Sequence, residues 1–192
     1  MTSSEDTFAR LVSLAVHDLR TPLATVSGFA RTLLRGDLGE PANQYVQMMV
    51  TATGQLAELL EDLGLAARIE SGRWEPNLQD VDLFELAQEA AAQVEGARAE
   101  GDGAVVRVDR DAATTALRQL AYCAHRHGGL EEVTIAVSGP EAAIVPVTDG
   151  AAPILMREQM RDLGAAIAAR IVSALGGSLE LDADRLVVRL PG

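Results

Sequence analysis

The sequence contains no lysine, and all sixteen of its basic residues are arginine. Against 28 acidic residues this leaves a formal net charge of −12, which argues against a nucleic-acid backbone as partner. Aromatic residues make up only 3% of the chain, so any core has to be built from Leu, Val, Ile and Ala. A single cysteine, Cys123, excludes an intramolecular disulfide and a thiolate metal cluster. The N-terminus, MTSSEDTF, lacks the basic-then-apolar layout of a signal peptide, and no apolar run approaches the ~20 residues of a membrane helix. A cytoplasmic, membrane-free chain is therefore expected. Its 192 residues suffice for one large or two small domains.

What is present is most concentrated around His17. Phe8, Val12, Ala15, Leu19, Pro22, Val26, Phe29 and Leu33 step by four and three, a heptad seam of the kind that packs helices into bundles. On that seam His17 falls at the position farthest from the apolar stripe and should stand in solvent. Arg20 and Thr21 lie three and four residues on, within side-chain reach of it. Pro22 removes the hydrogen bond its N–H would have made to the Asp18 carbonyl and crowds that carbonyl, which puts a kink beside His17. Neutral imidazole is a nucleophile near neutral pH, and a neighbouring carboxylate can orient it and accept its proton. Arginines on the same face could offset the charge of an incoming phosphoryl group.

Residues 17–23, HDLRTPL, resemble the H-box of bacterial sensor histidine kinases, from the dimerisation and histidine-phosphotransfer domain. The resemblance implies that His17 carries the phosphoryl group and that Asp18 assists proton transfer. It also implies that Asp18 and Thr21 position water when a receiver domain is dephosphorylated. A second helix, with Tyr45, Met49, Ala52, Leu56, Leu59, Leu63 and Ala66 again stepping four and three, follows the breakers Gly36, Gly39 and Pro41. The two helices make an antiparallel hairpin. Such a hairpin buries one face only, so pairing of two chains through 8–76 into a four-helix bundle is expected. The end of the second helix, Arg68-Ile69-Glu70-Ser71-Gly72, is also similar to the family, and a domain boundary is placed between residues 78 and 79.

Beyond it the pattern changes. The spacing predicts an alanine-rich helix over 82–99, a strand over 104–108 and a helix over 111–127. Strands over 133–138 and 143–147 flank Gly139-Pro140, a helix covers 158–175, and a last hairpin joins 178–181 to 185–190. Helices with mostly antiparallel strands make an α+β sandwich. Its order resembles the catalytic ATP-binding domain of histidine kinases, of the GHKL type.

The resemblance weakens where that family holds nucleotide. Its alignment puts Gln119 and Cys123 where asparagines meet Mg²⁺ and phosphate, and a neutral thiol is a poor ligand for a hard cation. Asp149 of the Asp-x-Gly-x-Gly box is present, but Ala151 and Pro153 stand at its glycines. Met160 and Asp162 take two glycine positions of the last box and leave Gly164. Asp162 would set a negative charge near a triphosphate. Only 155–159 separate these boxes, too short for the family's mobile lid. His125 and His127 are two apart on one helix, face different ways and make no metal pair; no metal site is expected. Cys123 reads as a small buried residue rather than a nucleophile.

The resulting expectation is a dimeric histidine phosphotransferase of phosphorelay type, passing a phosphoryl group between His17 and the aspartates of response-regulator receiver domains. No cofactor is expected to bind tightly: ATP would be dispensable, and Mg²⁺ would be supplied at the receiver. The alternatives are an ATP-dependent sensor histidine kinase core, or a receiver phosphatase or docking module.

Overall fold

The computed structural model describes residues 41–70 and 72–191, and before them residues 11, 15, 18, 19, 21–26, 28, 29, 32 and 33. His17 and Arg20 lie outside the described residues, as do Phe8, Val12, Gly36, Gly39 and Ser71. The chain divides into two compact units, Met1–Ala67 and Arg68–Gly192.

The first unit is the helical hairpin. All described residues from 11 to 33 are helical and form α1, and α2 runs Pro41–Glu70. Helical geometry continues over 21–26, through Pro22. The seam is visible in burial. Ala15, Pro22, Ala52 and Ala66 are buried, and the other described members of the two stripes are half-buried. Phe29 of α1 stacks on Tyr45 of α2 with ring centroids 5.2 Å apart. Two seam residues distant in sequence are thereby joined across the hairpin. Leu23, Val46, Met48, Val50 and Leu60 remain exposed.

The second unit contains β1 (Leu78–Asp82), α3 (Leu83–Ala91), β2 (Ala97–Gly103), β3 (Val105–Asp109) and α4 (Arg110–Gly128). After them come β4 (Val133–Gly139), β5 (Glu141–Val145), α5 (Ala152–Leu155), α6 (Leu163–Ala174), β6 (Ser178–Asp182) and β7 (Arg185–Arg189). One sheet has the order β2-β4-β5-β7-β6, and β1 pairs with β3 in a small antiparallel ribbon. The core lies between the large sheet and the helices, and is aliphatic as the composition requires. Leu83, Leu86, Leu117, Leu120, Ile135, Ile144, Ile167, Ile171 and Leu186 are fully buried. Among the described residues no helix is long and apolar enough to cross a membrane.

The expected helix over 82–99 is corrected. It ends at Ala91, and residues 97–103 are β2, parallel to β4 with Ala97 opposite Val133 and Gly101 opposite Val137. The alanines and glutamates of this stretch favour helix locally, but the pairing with β4 overrides that preference. Gly96 and Gly101, with φ of +75° and +107°, provide backbone that alanine-rich helix does not use. The helix expected over 158–175 is shorter as well. The Asp162 carboxylate Oδ1 accepts from the Ala165 N–H at 2.9 Å, which starts α6 at Leu163. Of the remaining turns, the one at Gly139 is legible in the sequence, and the strand after it is Glu141–Val145 rather than 143–147. Asp109 caps α4, Gly129 ends it in the left-handed conformation, and Gly139 turns the β4–β5 hairpin.

Candidate functional site

Two groups of residues bear on function. The first is on α1. Asp18 is helical and half-buried, and Thr21 is helical and exposed. The Thr21 carbonyl accepts a hydrogen bond from the Thr25 hydroxyl at 3.0 Å. His17 and Arg20, which would complete the reacting face, lie outside the described residues.

The second group lies where α4 meets the start of α6. Gln119 and Cys123 are one turn apart on α4 and both are buried. Gly164 packs directly on Gln119. A β-carbon added at Gly164 would lie 2.2 Å from Gln119 Oε1 and 2.7 Å from its Cδ. The space beside the one retained glycine is thus filled by the side chain that stands at an asparagine position. Asp162 is buried and does two things at once. One carboxylate oxygen caps α6, and the other meets His127 Nε2 at 3.0 Å. The N-terminus of α6, with its partial positive charge and open N–H groups, therefore already faces an anion belonging to the chain.

His125 and His127 do face different ways. The His125 ring borders Gly96, whose added β-carbon would lie 2.9 Å from His125 Nε2, whereas His127 reaches Asp162. Cys123 has no exposed surface, and burial, followed by the charge of Asp162, pushes its thiol above the ordinary range against the opposing pull of Arg126. Ala151 is buried, Pro153 half-buried near the start of α5, and Asp149 exposed in the preceding turn. That turn lies near the end of α4, because a β-carbon on Gly150 would sit 3.0 Å from the His127 carbonyl.

The structure thus gathers Gln119, Cys123, Asp162 and Gly164 into one cluster. It adds a member that sequence reasoning missed, His127. The signal was present: Cys123 and His127 are four apart, hence on one face of α4. Only the fold brings Asp162 to them. A thiol, an imidazole and a single carboxylate are a soft and sparse set for Mg²⁺, which takes near-octahedral oxygen ligation. The cluster does not fit that ion.

Residues 9–72 match the His Kinase A (phospho-acceptor) domain. A probable sensor histidine kinase of Mycobacterium tuberculosis, TcrY, is 35% identical over 91 residues, 47% of this chain and 19% of that protein. The sensor protein CutS of Streptomyces coelicolor is 41% identical over 109 residues, 54% of this chain and 25% of its own length. The match thus spans about a fifth to a quarter of the length of these relatives. Among solved structures, the Acinetobacter baumannii histidine kinase AdeS aligns over 91% of this chain and 97% of its own with a TM-score of 0.68 at 18% identity. A chain described as a bacterial phosphotransferase aligns over 98% of this chain and 97% of its own, with a TM-score of 0.54 at 16% identity. At those identities the structures speak for the fold alone. Residues 9–72 are thus similar to a His Kinase A phospho-acceptor domain, and the chain as a whole shares the fold of histidine kinase cores.

Proposed function

We propose that the chain is a histidine phosphotransferase that exchanges a phosphoryl group with receiver-domain aspartates and does not use ATP. The acceptor would be His17, within the phospho-acceptor domain. Its imidazole nitrogen attacks phosphorus of an aspartyl phosphate. The P–N bond forms as the P–O bond to the receiver carboxylate breaks, and the imidazole proton passes to Asp18. The reverse step delivers the group to a second receiver. Arg20 offsets phosphoryl charge and Thr21 helps to orient the group, or water when the receiver is hydrolysed. Mg²⁺ belongs to the receiver's acidic pocket. Such in-line transfer consists mostly of positioning and charge neutralisation, so a rigid helix bearing the nucleophile is adequate machinery. The exposed apolar residues of α2 support pairing of two chains through the hairpin.

The observation that carries the ATP-independent reading is Asp162. Its buried carboxylate caps α6, where the family's phosphate-facing glycines would be, while Gln119 fills the space beside Gly164. A triphosphate there would meet a fixed negative charge and lose the backbone cradle. The two-domain likeness to a bacterial phosphotransferase is consistent with this reading.

The test gives the purified chain two donors, γ-labelled ATP with Mg²⁺ and a phosphorylated receiver, each beside a His17→Ala control. Label taken from the receiver only, and lost in the variant, is the expected result. Label from ATP that depends on His17 would make the chain a kinase core. Receiver dephosphorylation that survives His17→Ala but not Thr21→Ala would make it a phosphatase. Receiver binding without transfer or dephosphorylation would make it a docking module.

A further inference from the structure

We infer that Cys123, His127 and Asp162 form a binding site for a borderline divalent transition metal of the zinc class. The site joins the C-terminal turns of α4 to the N-cap of α6. This inference concerns the second unit only and does not rest on how His17 is phosphorylated.

Three ligand types converge. Cys123 and His127 are four residues apart on α4 and project from one face, the usual spacing of two helical ligands of one ion. Asp162 arrives from the other helix, and one ligand atom from each of the three lies within 4.8 Å of the others. Tetrahedral zinc, with nitrogen and oxygen at about 2.0–2.1 Å and sulfur at about 2.3 Å, holds its ligand atoms roughly 3.3–3.8 Å apart. His127 Nε2 and Asp162 Oδ2, at 3.0 Å, are already near that separation. Small side-chain adjustments would bring the thiol in as well.

The surroundings suit such an ion. Asp162 spends one oxygen on the cap of α6 and keeps the other for the cluster, so the capping bond orients the ligand. Cys123 and Asp162 are buried while His127 is partly exposed, which leaves a solvent-side approach for the ion and for a water in the fourth position. Sulfur and imidazole ligands favour zinc-class ions over the oxygen-seeking Mg²⁺. Binding is balanced by loss of the thiol proton to solvent: the S–H bond breaks, the sulfur–metal bond forms, and the complex gains one positive charge net.

The test uses the full chain, stripped with chelator and kept reduced and anaerobic, titrated with Co²⁺. A thiolate-to-cobalt charge-transfer band in the near ultraviolet that saturates at equimolar metal and is bleached by Zn²⁺ is expected. Cys123→Ala should abolish the band. His127→Gln and Asp162→Asn should weaken binding about tenfold or more. Asn still caps a helix, so the last variant removes a ligand without removing the cap. His125→Gln, on the other side of α4, should bind as the parent does. Zn²⁺ should raise the melting temperature of the parent and of His125→Gln, but not of the three ligand variants. Should Cys123→Ala fail to fold, the His127 and Asp162 variants decide. No charge-transfer band in the parent, binding unchanged in His127→Gln and Asp162→Asn, or equal loss in His125→Gln would each overturn the site and mark the metal as adventitious.

Discussion

Gly101 and Gly164 show how differently two glycines are constrained. At Gly101, φ is +107° and an added β-carbon would lie 2.0 Å from the Val137 carbonyl oxygen, so both torsion and space forbid a side chain. At Gly164 the obstruction is the end of the flexible Gln119 side chain, and the residue is in the first turn of α6, where alanine is intrinsically favoured. Gly101→Ala should cost about 3 kcal/mol or more and Gly164→Ala about 1 kcal/mol. Urea unfolding of the two variants would check this through their midpoints at unchanged slope. Equal midpoints would show that β2 does not hold its close approach to β4. In the sequence, Gly164 was legible as a retained family glycine, whereas the demand at Gly101 was not, because its cause is a carbonyl on another strand. The same holds for Asp162. Its charge was readable, but not its two partners.

Among elements, α4 was the easiest to read and β2 the hardest. Helix α4 has an acidic cap, an apolar stripe and a glycine stop, all local signals. Strand β2, ARAEGDG, alternates only alanine and glycine with charged residues and has no β-branched or large apolar residue, so its local signal is weak and the ladder with β4 is what holds it as a strand. The hairpin stands at the legible end of the range, since its heptads repeat over many turns. Its sharpest contact is Phe29 on Tyr45. Phe29→Ala should remove an aromatic pair worth about 0.5–1.5 kcal/mol beyond the area it buries. The loss should appear as a lower melting temperature in far-ultraviolet circular dichroism, with Phe29→Leu recovering part of it. A melting temperature unmoved by Phe29→Ala would mean that the stack contributes nothing to the hairpin.

For the whole molecule, the proposed pairing of two chains runs through the seam. Leu19 lies on the stripe and is half-buried within one chain, which leaves surface that the proposed pairing of two chains would cover. Leu19→Asp would place a charge where two chains meet and should give monomeric or unfolded protein, as measured by light scattering. A folded dimer of the parent size would mean that the chains pair elsewhere. The net charge of −12 adds a general repulsion between copies, which an apolar seam that pairs them would have to overcome.

What the sequence determined by itself is the helical hairpin. Heptad spacing and the HDLRTPL motif are short-range patterns, and a helix displays them on a fixed face whatever surrounds it. The punctuation of α4 and of the β4–β5 hairpin was equally local. The tertiary structure alone decided the parallel pairing of β2 and the meeting of Cys123 and His127 with Asp162. His127 and Asp162 are 35 residues apart. Contacts of that span depend on how helices pack on a sheet, and no local periodicity encodes which side chains will then face one another.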